Sequence, residues 1–165
     1  MLDLGWGEGR HAIAGARMRF AVTAVDYEPL ALARARRLAR RRGVPAIDFR
    51  RADALRLPFA GARFDIVLDY GCLHHQTKAD WPAYKANLLR VLRPGGFYLL
   101  SVFSPRFFLF RGRRRPWHLA RGAYRRRFTA GDLLDLLGRE FQVLDLTEQA
   151  RGRCGAWYAL MRRRP

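Results

Sequence analysis

Met1-Leu2-Asp3-Leu4-Gly5-Trp6-Gly7-Glu8-Gly9-Arg10 opens the chain and decides its fold. It reads as a short buried strand that runs into a glycine-rich turn and then a helix. That order marks a nucleotide-type ligand loop in an open α/β sheet. Glycine suits the turn because it accepts positive φ and lets backbone approach a ligand with no Cβ in the way. Asp3 sits between Leu2 and Leu4 at the edge of a core, where a carboxylate is costly unless paired. It would repel a pyrophosphate, but would hold a ligand carrying an ammonium group, directly or through water. The spacing agrees. A dinucleotide fingerprint, Gly-x-Gly-x-x-Gly, needs a third glycine at position 10, where Arg10 stands. The triplet present is Gly5-x-Gly7-x-Gly9. The alternative is a tight glycine turn with no ligand.

Working outward, 9–18 reads as a short helix and Phe20–Val25 as a second strand ending at Asp26. Leu30–Arg42 is a helix with Ala31, Ala35, Leu38 and Ala39 on one face. Gly43-Val44-Pro45 stops it, and Ile47–Arg50 is a third strand leading to Asp53. Phe64–Asp69 is a fourth strand, mostly apolar as a strand buried on both faces should be. Tyr70–His75 follows as a loop, and Asp80 is placed to cap a helix through Leu92. Arg93-Pro94-Gly95-Gly96 ends that helix, and Phe97–Phe103 is a fifth strand. Repeated strand–helix alternation gives a doubly wound, mostly parallel sheet. Ligands in such sheets bind beyond the carboxyl ends of the strands. Gly5–Gly9, Asp26, Asp53 and Asp69–Gly71 fall at four such ends, in register.

The totals bound the rest. At 165 residues and 50% hydrophobic content the chain is expected to be one domain, 1–165, with a sizeable core. No apolar run is long enough to span a bilayer and no secretory pattern opens the chain, so a cytoplasmic protein with no membrane partner is expected. Cys72 and Cys154 are the only cysteines, and no metal site is expected from them. The net charge is +18, and all 32 basic residues but Lys78 and Lys85 are arginine. One reading is a phosphate-rich partner. The other is the codon bias of a GC-rich genome, which Ala and Gly crowding also fits.

An acidic strand followed by the Gly5-Gly7-Gly9 triplet resembles motif I of the class I S-adenosylmethionine-dependent methyltransferases, and the resemblance extends over 1–103. It implies a seven-stranded α/β sheet of order 3-2-1-4-5-7-6 with the last strand antiparallel, and S-adenosylmethionine as cofactor with S-adenosylhomocysteine as product. It implies cofactor contacts from Asp3, Gly5, Gly7 and Gly9, and from Asp26 with Tyr27, where a carboxylate clasps both ribose hydroxyls. Asp53 with Ala54 matches the site that accepts from the adenine amino group. Asp69-Tyr70-Gly71 matches the strand end near the sulfonium. A helix-capping Asp26 and a turn Asp53 are the alternatives. Leu92-Arg93-Pro94-Gly95-Gly96 is similar to the family's turn before its fifth strand. His74, His75 and Tyr70 are candidate catalytic groups. A histidine pair that only caps and packs is the alternative, since alignment alone can suffice for methyl transfer. Trp6 stands where a small residue is usual. The helical segment that family members carry before motif I is not seen ahead of Met1. An upstream start, a trimmed chain or a covering partner each fits that.

The last third resembles the family weakly. Segment 104–128 is the variable substrate or lid stretch, with arginines and aromatics interleaved from Arg106 to Arg127. Such a stretch can grip phosphates and stack on bases, cover a small acceptor, or be a solvated loop. Thr129-Ala130-Gly131-Asp132 starts a last helix with Leu133, Leu134, Leu136 and Leu137 on its apolar side. Phe141–Leu146 and Ala156–Met161 fit the last two strands, with Arg162–Arg164 as a solvated tail. The expected function is methyl transfer to a small molecule, because the chain has no appended RNA-binding module. An RNA methyltransferase using 106–127, and a non-catalytic interaction domain, are the alternatives.

Overall fold

The computed structural model describes residues 1–165 except Trp6, Pro45, Ala46 and Arg121, and not the Ala120 side chain. Trp6, which stands where a small residue is usual in the family, lies outside these residues. Strands β1 (Leu2–Leu4), β2 (Thr23–Asp26), β3 (Asp48–Arg51), β4 (Phe64–Tyr70) and β5 (Leu92–Phe103) run parallel. Helices α1 (Arg10–Arg17), α2 (Pro29–Arg41) and α3 (Trp81–Val91) alternate with them. A hairpin follows, β6 (Trp117–Ala120) and β7 (Ala123–Arg126), then helix α4 (Ala130–Leu137) and strands β8 (Phe141–Arg151) and β9 (Cys154–Arg163).

The large sheet has the order β3-β2-β1-β4-β5-β9-β8, with β9 antiparallel to β5. This is the expected 3-2-1-4-5-7-6 order, displaced in number by the two hairpin strands. Central strands carry apolar residues because both faces are covered. Leu2, Leu4, Val67, Tyr98, Leu100 and Val102 are buried in one core with Leu88 and Val91 of α3 and Leu133 and Leu137 of α4. A second core lies between α1, α2 and the outer strands, where Ala35 and Ala39 present the small face that lets α2 sit close to Phe49.

Several local expectations need correction. β2 begins at Thr23, not Phe20, because Arg19 takes a left-handed φ of 64° and the Phe20 N–H returns to the Gly15 carbonyl. Asp80 does not cap α3 with its side chain; the carboxylate accepts instead from the Thr77 N–H and hydroxyl. Leu134 of α4 is exposed rather than part of the apolar side. Arg163 is no solvated tail residue: its guanidinium donates to the Leu89 and Leu92 carbonyls at the end of α3. Arginine there satisfies carbonyls that a helix leaves without partners.

The Arg93–Gly96 turn is built into the start of β5. Phe64 pairs with Leu92 and Ile66 with Phe97, so the four residues 93–96 stand opposite the single residue Asp65. A Cβ on Gly96 would lie 2.7 Å from Leu92 Cδ1 and 2.9 Å from both the Arg93 and Asp65 carbonyl oxygens. Thr129 and Asp132 form a reciprocal capping box that starts α4. No described helix is long and apolar enough to cross a membrane.

Candidate active site

The strand ends expected to carry a ligand border a cavity of about 1020 Å³. That is at the upper end of small-molecule sites, which reach ~1,000 Å³. One end is formed by Gly5 and Gly7 after β1, Asp26 and Tyr27 after β2, and Asp53 with Leu55 after β3. The other is aromatic: Phe103 at the end of β5, Phe107, Tyr124 of β7 and Tyr158 of β9. Tyr70, Gly71, Cys72, His74 and His75 lie on the wall as well.

Of the expected cofactor contacts, Gly5, Gly7, Asp26, Tyr27, Asp53 and Gly71 line this cavity, while Asp3, Gly9, Ala54 and Asp69 do not. Asp26 accepts from the Gly7 N–H at 3.1 Å and from the Glu28 N–H at 3.0 Å. It therefore ties the glycine loop to the end of β2. Capping of α2 is done by Glu28, which accepts from the Leu30 N–H. Asp53 accepts from the Leu55 N–H at 2.9 Å, an Asx turn that leaves its second oxygen without a hydrogen-bond partner among the described residues. Ala54 packs against the core beneath.

The glycine loop is shaped by close approach. At Gly5, φ is 66° and an added Cβ would lie 3.0 Å from Cys72 Cβ, whereas at Gly7, φ 53°, it would meet nothing within 4 Å. The first glycine thus admits the neighbouring loop, and the second leaves open space over the cavity floor.

Asp3 lies beneath that floor, 1% exposed, and neither carboxylate oxygen has a hydrogen-bond donor among the described residues. Burial pushes its pKa up to about 7, opposed by the Ala12 N–H nearby and assisted by Asp69 and Asp26. The Ala12 N–H falls short of hydrogen-bond geometry.

Asp69 is buried too, but its oxygens are occupied. They accept from the Cys72 and Leu73 N–H groups and from the Tyr84 and Tyr98 hydroxyls. Burial sets its pKa up at about 6 despite those four donors. Its geometry is that of an anchor for the 70–75 loop, not of a ligand contact.

Leu73–His75 forms a single 3-10 turn where a loop is expected. His74 is buried, stacked on Phe103 with ring centroids 3.7 Å apart, and its Nδ1 has no hydrogen-bond partner among the described residues. Burial holds its pKa well below the usual value. His75 Nδ1 is 2.7 Å from the Tyr124 carbonyl oxygen. A carbonyl only accepts, so Nδ1 carries the proton and Nε2 keeps the lone pair. Burial also lowers the His75 pKa, which favours the neutral ring. The Tyr70 hydroxyl lies 3.4 Å from that of Tyr158, and this contact, with burial, raises its pKa to about 12.

The aromatic end was missed in the sequence. The strand-end rule could have found Ser101–Phe103, since they end β5. It could not have found Cys154–Tyr158, because polar Thr147–Arg151 hid how far β8 and β9 extend.

A family model of the methyltransferase domain matches residues 1–96. The chain is 31% identical over 142 residues to a probable S-adenosylmethionine-dependent methyltransferase of Mycolicibacterium smegmatis, covering 83% of this chain and 49% of that protein. It is 35% identical over 104 residues to the ubiquinone biosynthesis O-methyltransferase of Cereibacter sphaeroides, covering 63% of this chain and 41% of that one. Among solved structures, Burkholderia thailandensis 1,6-didemethyltoxoflavin-N1-methyltransferase, with bound 1,6-didemethyltoxoflavin and S-adenosylhomocysteine, superposes with a TM-score of 0.77. It is 31% identical, over 99% of this chain and 70% of that one. Fold and site thus define an S-adenosylmethionine-type methyltransferase domain. The chain belongs to the methyltransferase domain family, and spans about half or less of these two curated relatives.

Proposed function

We propose that this chain transfers a methyl group from S-adenosylmethionine to a small-molecule acceptor. One observation carries the reading: in a chain of net charge +18, Asp26 and Asp53 line one half of the cavity, and the carboxylates of Asp3 in β1 and Asp69 in β4 lie buried behind it. A pyrophosphate would be repelled there, whereas a ligand with an ammonium and a sulfonium would be attracted. The orphaned carboxylate of Asp3 under the loop fits such a cation, and Gly7 leaves it space. When bound, S-adenosylmethionine supplies a methyl group on a cationic sulfur. Asp26, with spare acceptor capacity, holds the ribose hydroxyls; Asp53 faces the adenine.

The aromatic end takes the acceptor, and its size and apolar walls suit a ring-bearing small molecule. The toxoflavin precursor and ubiquinone relatives support that class. His75 is the candidate proton acceptor, because its tautomer leaves Nε2 free and its ring is neutral. A proton leaving an acceptor hydroxyl or N–H as the methyl bond forms would end on that nitrogen. His74 positions the wall through its stack on Phe103. Tyr70, still protonated at neutral pH, can hydrogen-bond and orient but does not take up the proton.

Calorimetric titration with S-adenosylmethionine, S-adenosylhomocysteine and NAD tests the reading. Binding of the first two, none of NAD, and loss of binding in Asp26→Ala are expected. Equal binding of NAD, or no binding of either adenosyl ligand, sinks it.

A further inference from the structure

The acceptor end of the cavity opens beside a surface that methyl transfer does not use. Segment 104–128 contains nine arginines and no carboxylate. Arg106 pairs with Glu148, and buried Arg126 with Asp132. Arg113, Arg114 and Arg115 are exposed and form no ion pair with any described residue. They share a hollow with Trp117 and Leu119, which are 40% and 61% exposed. Phe108, 38% exposed, lies beneath the Arg153 guanidinium at 4.3 Å. Codon bias explains arginine in place of lysine. It does not explain the removal of every carboxylate from this segment, nor the placing of arginines without ion pairs among exposed apolar side chains, with Arg115 over the Trp117 ring at 5.4 Å.

We infer that this face, Arg113–Arg115 with Trp117 and Leu119, docks on the surface of an anionic lipid bilayer. Apolar tips enter the interface while guanidinium groups stay at the headgroups on their apolar stems. Each arginine near such a surface contributes roughly a fivefold gain in binding. Leu119 decides between partners. A nucleic acid is gripped by phosphate contacts and by stacking on flat rings, and an exposed aliphatic side chain offers neither. β7 packs on the 73–75 turn, with the Tyr124 carbonyl on His75, so β6 is the outer strand. Gly122–Tyr124 of the same hairpin line the cavity. Docking therefore turns the acceptor end toward the bilayer. The sequence reading expected no membrane partner because it sought a spanning run; surface attachment needs none.

The inference stands independently of methyl transfer, and co-sedimentation tests it. The chain is mixed with vesicles of phosphatidylcholine alone, or of phosphatidylcholine with phosphatidylglycerol. It is expected to sediment with the mixed vesicles only, and less as salt is raised. Combining Arg113→Ala, Arg114→Ala and Arg115→Ala should weaken binding roughly a hundredfold. Leu119→Asp should weaken it too, with circular dichroism melts of both variants showing a folded chain. No preference for anionic vesicles, or wild-type sedimentation of Leu119→Asp, overturns the inference. So does binding of a single-stranded RNA oligonucleotide that survives Leu119→Asp while vesicles are not bound. Cofactor titration of the same samples reports separately on the proposed function.

Discussion

Asp3 shows how a single residue can be read from the sequence in kind but not in degree. The pattern Leu-Asp-Leu before a glycine turn announces a carboxylate in a buried strand. That both its oxygens are left without donors depends on what α1 and β4 place around it, and no local spacing encodes that. Its pKa of about 7 lies above the ordinary aspartate value of 3.8, so the folded chain binds this proton more tightly than the unfolded one. The stability Asp3 contributes is complete below pH 4 and is lost as pH rises through 7. Asp69, near 6, acts in the same direction over a narrower window. Asn keeps the shape at position 3 and does not ionise. The ligand-free Asp3→Asn variant should therefore gain stability relative to wild type between pH 5 and pH 8, by up to about 3 kcal/mol. Urea denaturation of both proteins at the two pH values measures this. An offset that does not change with pH would mean that the Asp3 carboxylate reaches water. The same substitution removes the buried negative charge proposed to favour a cationic cofactor, so affinity should fall while stability rises.

Elements built from local signals were legible, and elements built from distant pairing were not. α2 and α4 have caps, apolar faces and stops within their own residues. The β6–β7 hairpin lies in an arginine-rich stretch where Trp117-His118-Leu119 is too short an alternation to mark a strand, and the outer half of β8 is polar and held by its pairing with β9. The α3–β5 junction is intermediate. Pro94-Gly95-Gly96 announces a turn, yet only the structure separates the two glycines. At Gly95, φ is 73° and the nearest atom to an added Cβ is the end of the Arg162 side chain at 3.8 Å. Gly95→Ala should therefore cost only the left-handed penalty, about 1–2 kcal/mol. At Gly96 two of the three close atoms are backbone carbonyl oxygens, which cannot move without breaking the β4–β5 register. Gly96→Ala should cost more, about 3 kcal/mol, towards the upper end of overpacking effects. Urea midpoints of the two variants rank them, and equal losses would show that the junction yields as easily as a surface turn.

At the scale of the whole molecule, the charge of +18 is a cost as well as a signal. Six ion pairs engage six cations among the described residues, leaving most arginines to repel one another across the surface. Self-repulsion destabilises a compact chain, and salt relieves it over a Debye length of about 10 Å at 0.1 M. The melting temperature should thus rise as salt is added. A gain of 1–2 kcal/mol corresponds to roughly 3–6 °C for a domain of this size. Arg113, Arg114 and Arg115 are a run of exposed arginines without ion pairs among the described residues, as are Arg40–Arg42. Replacing the first three with alanine should therefore raise the midpoint at low salt and leave it nearly unchanged at high salt. Differential scanning calorimetry at two salt concentrations reads both effects. A flat response would mean the guanidinium groups are spaced too widely to interact, so the arginine excess would carry no stability penalty. A rise that the triple variant abolishes would show the reverse. Those arginines would then be held at a cost to folding, as expected of residues kept for contact with something outside the chain.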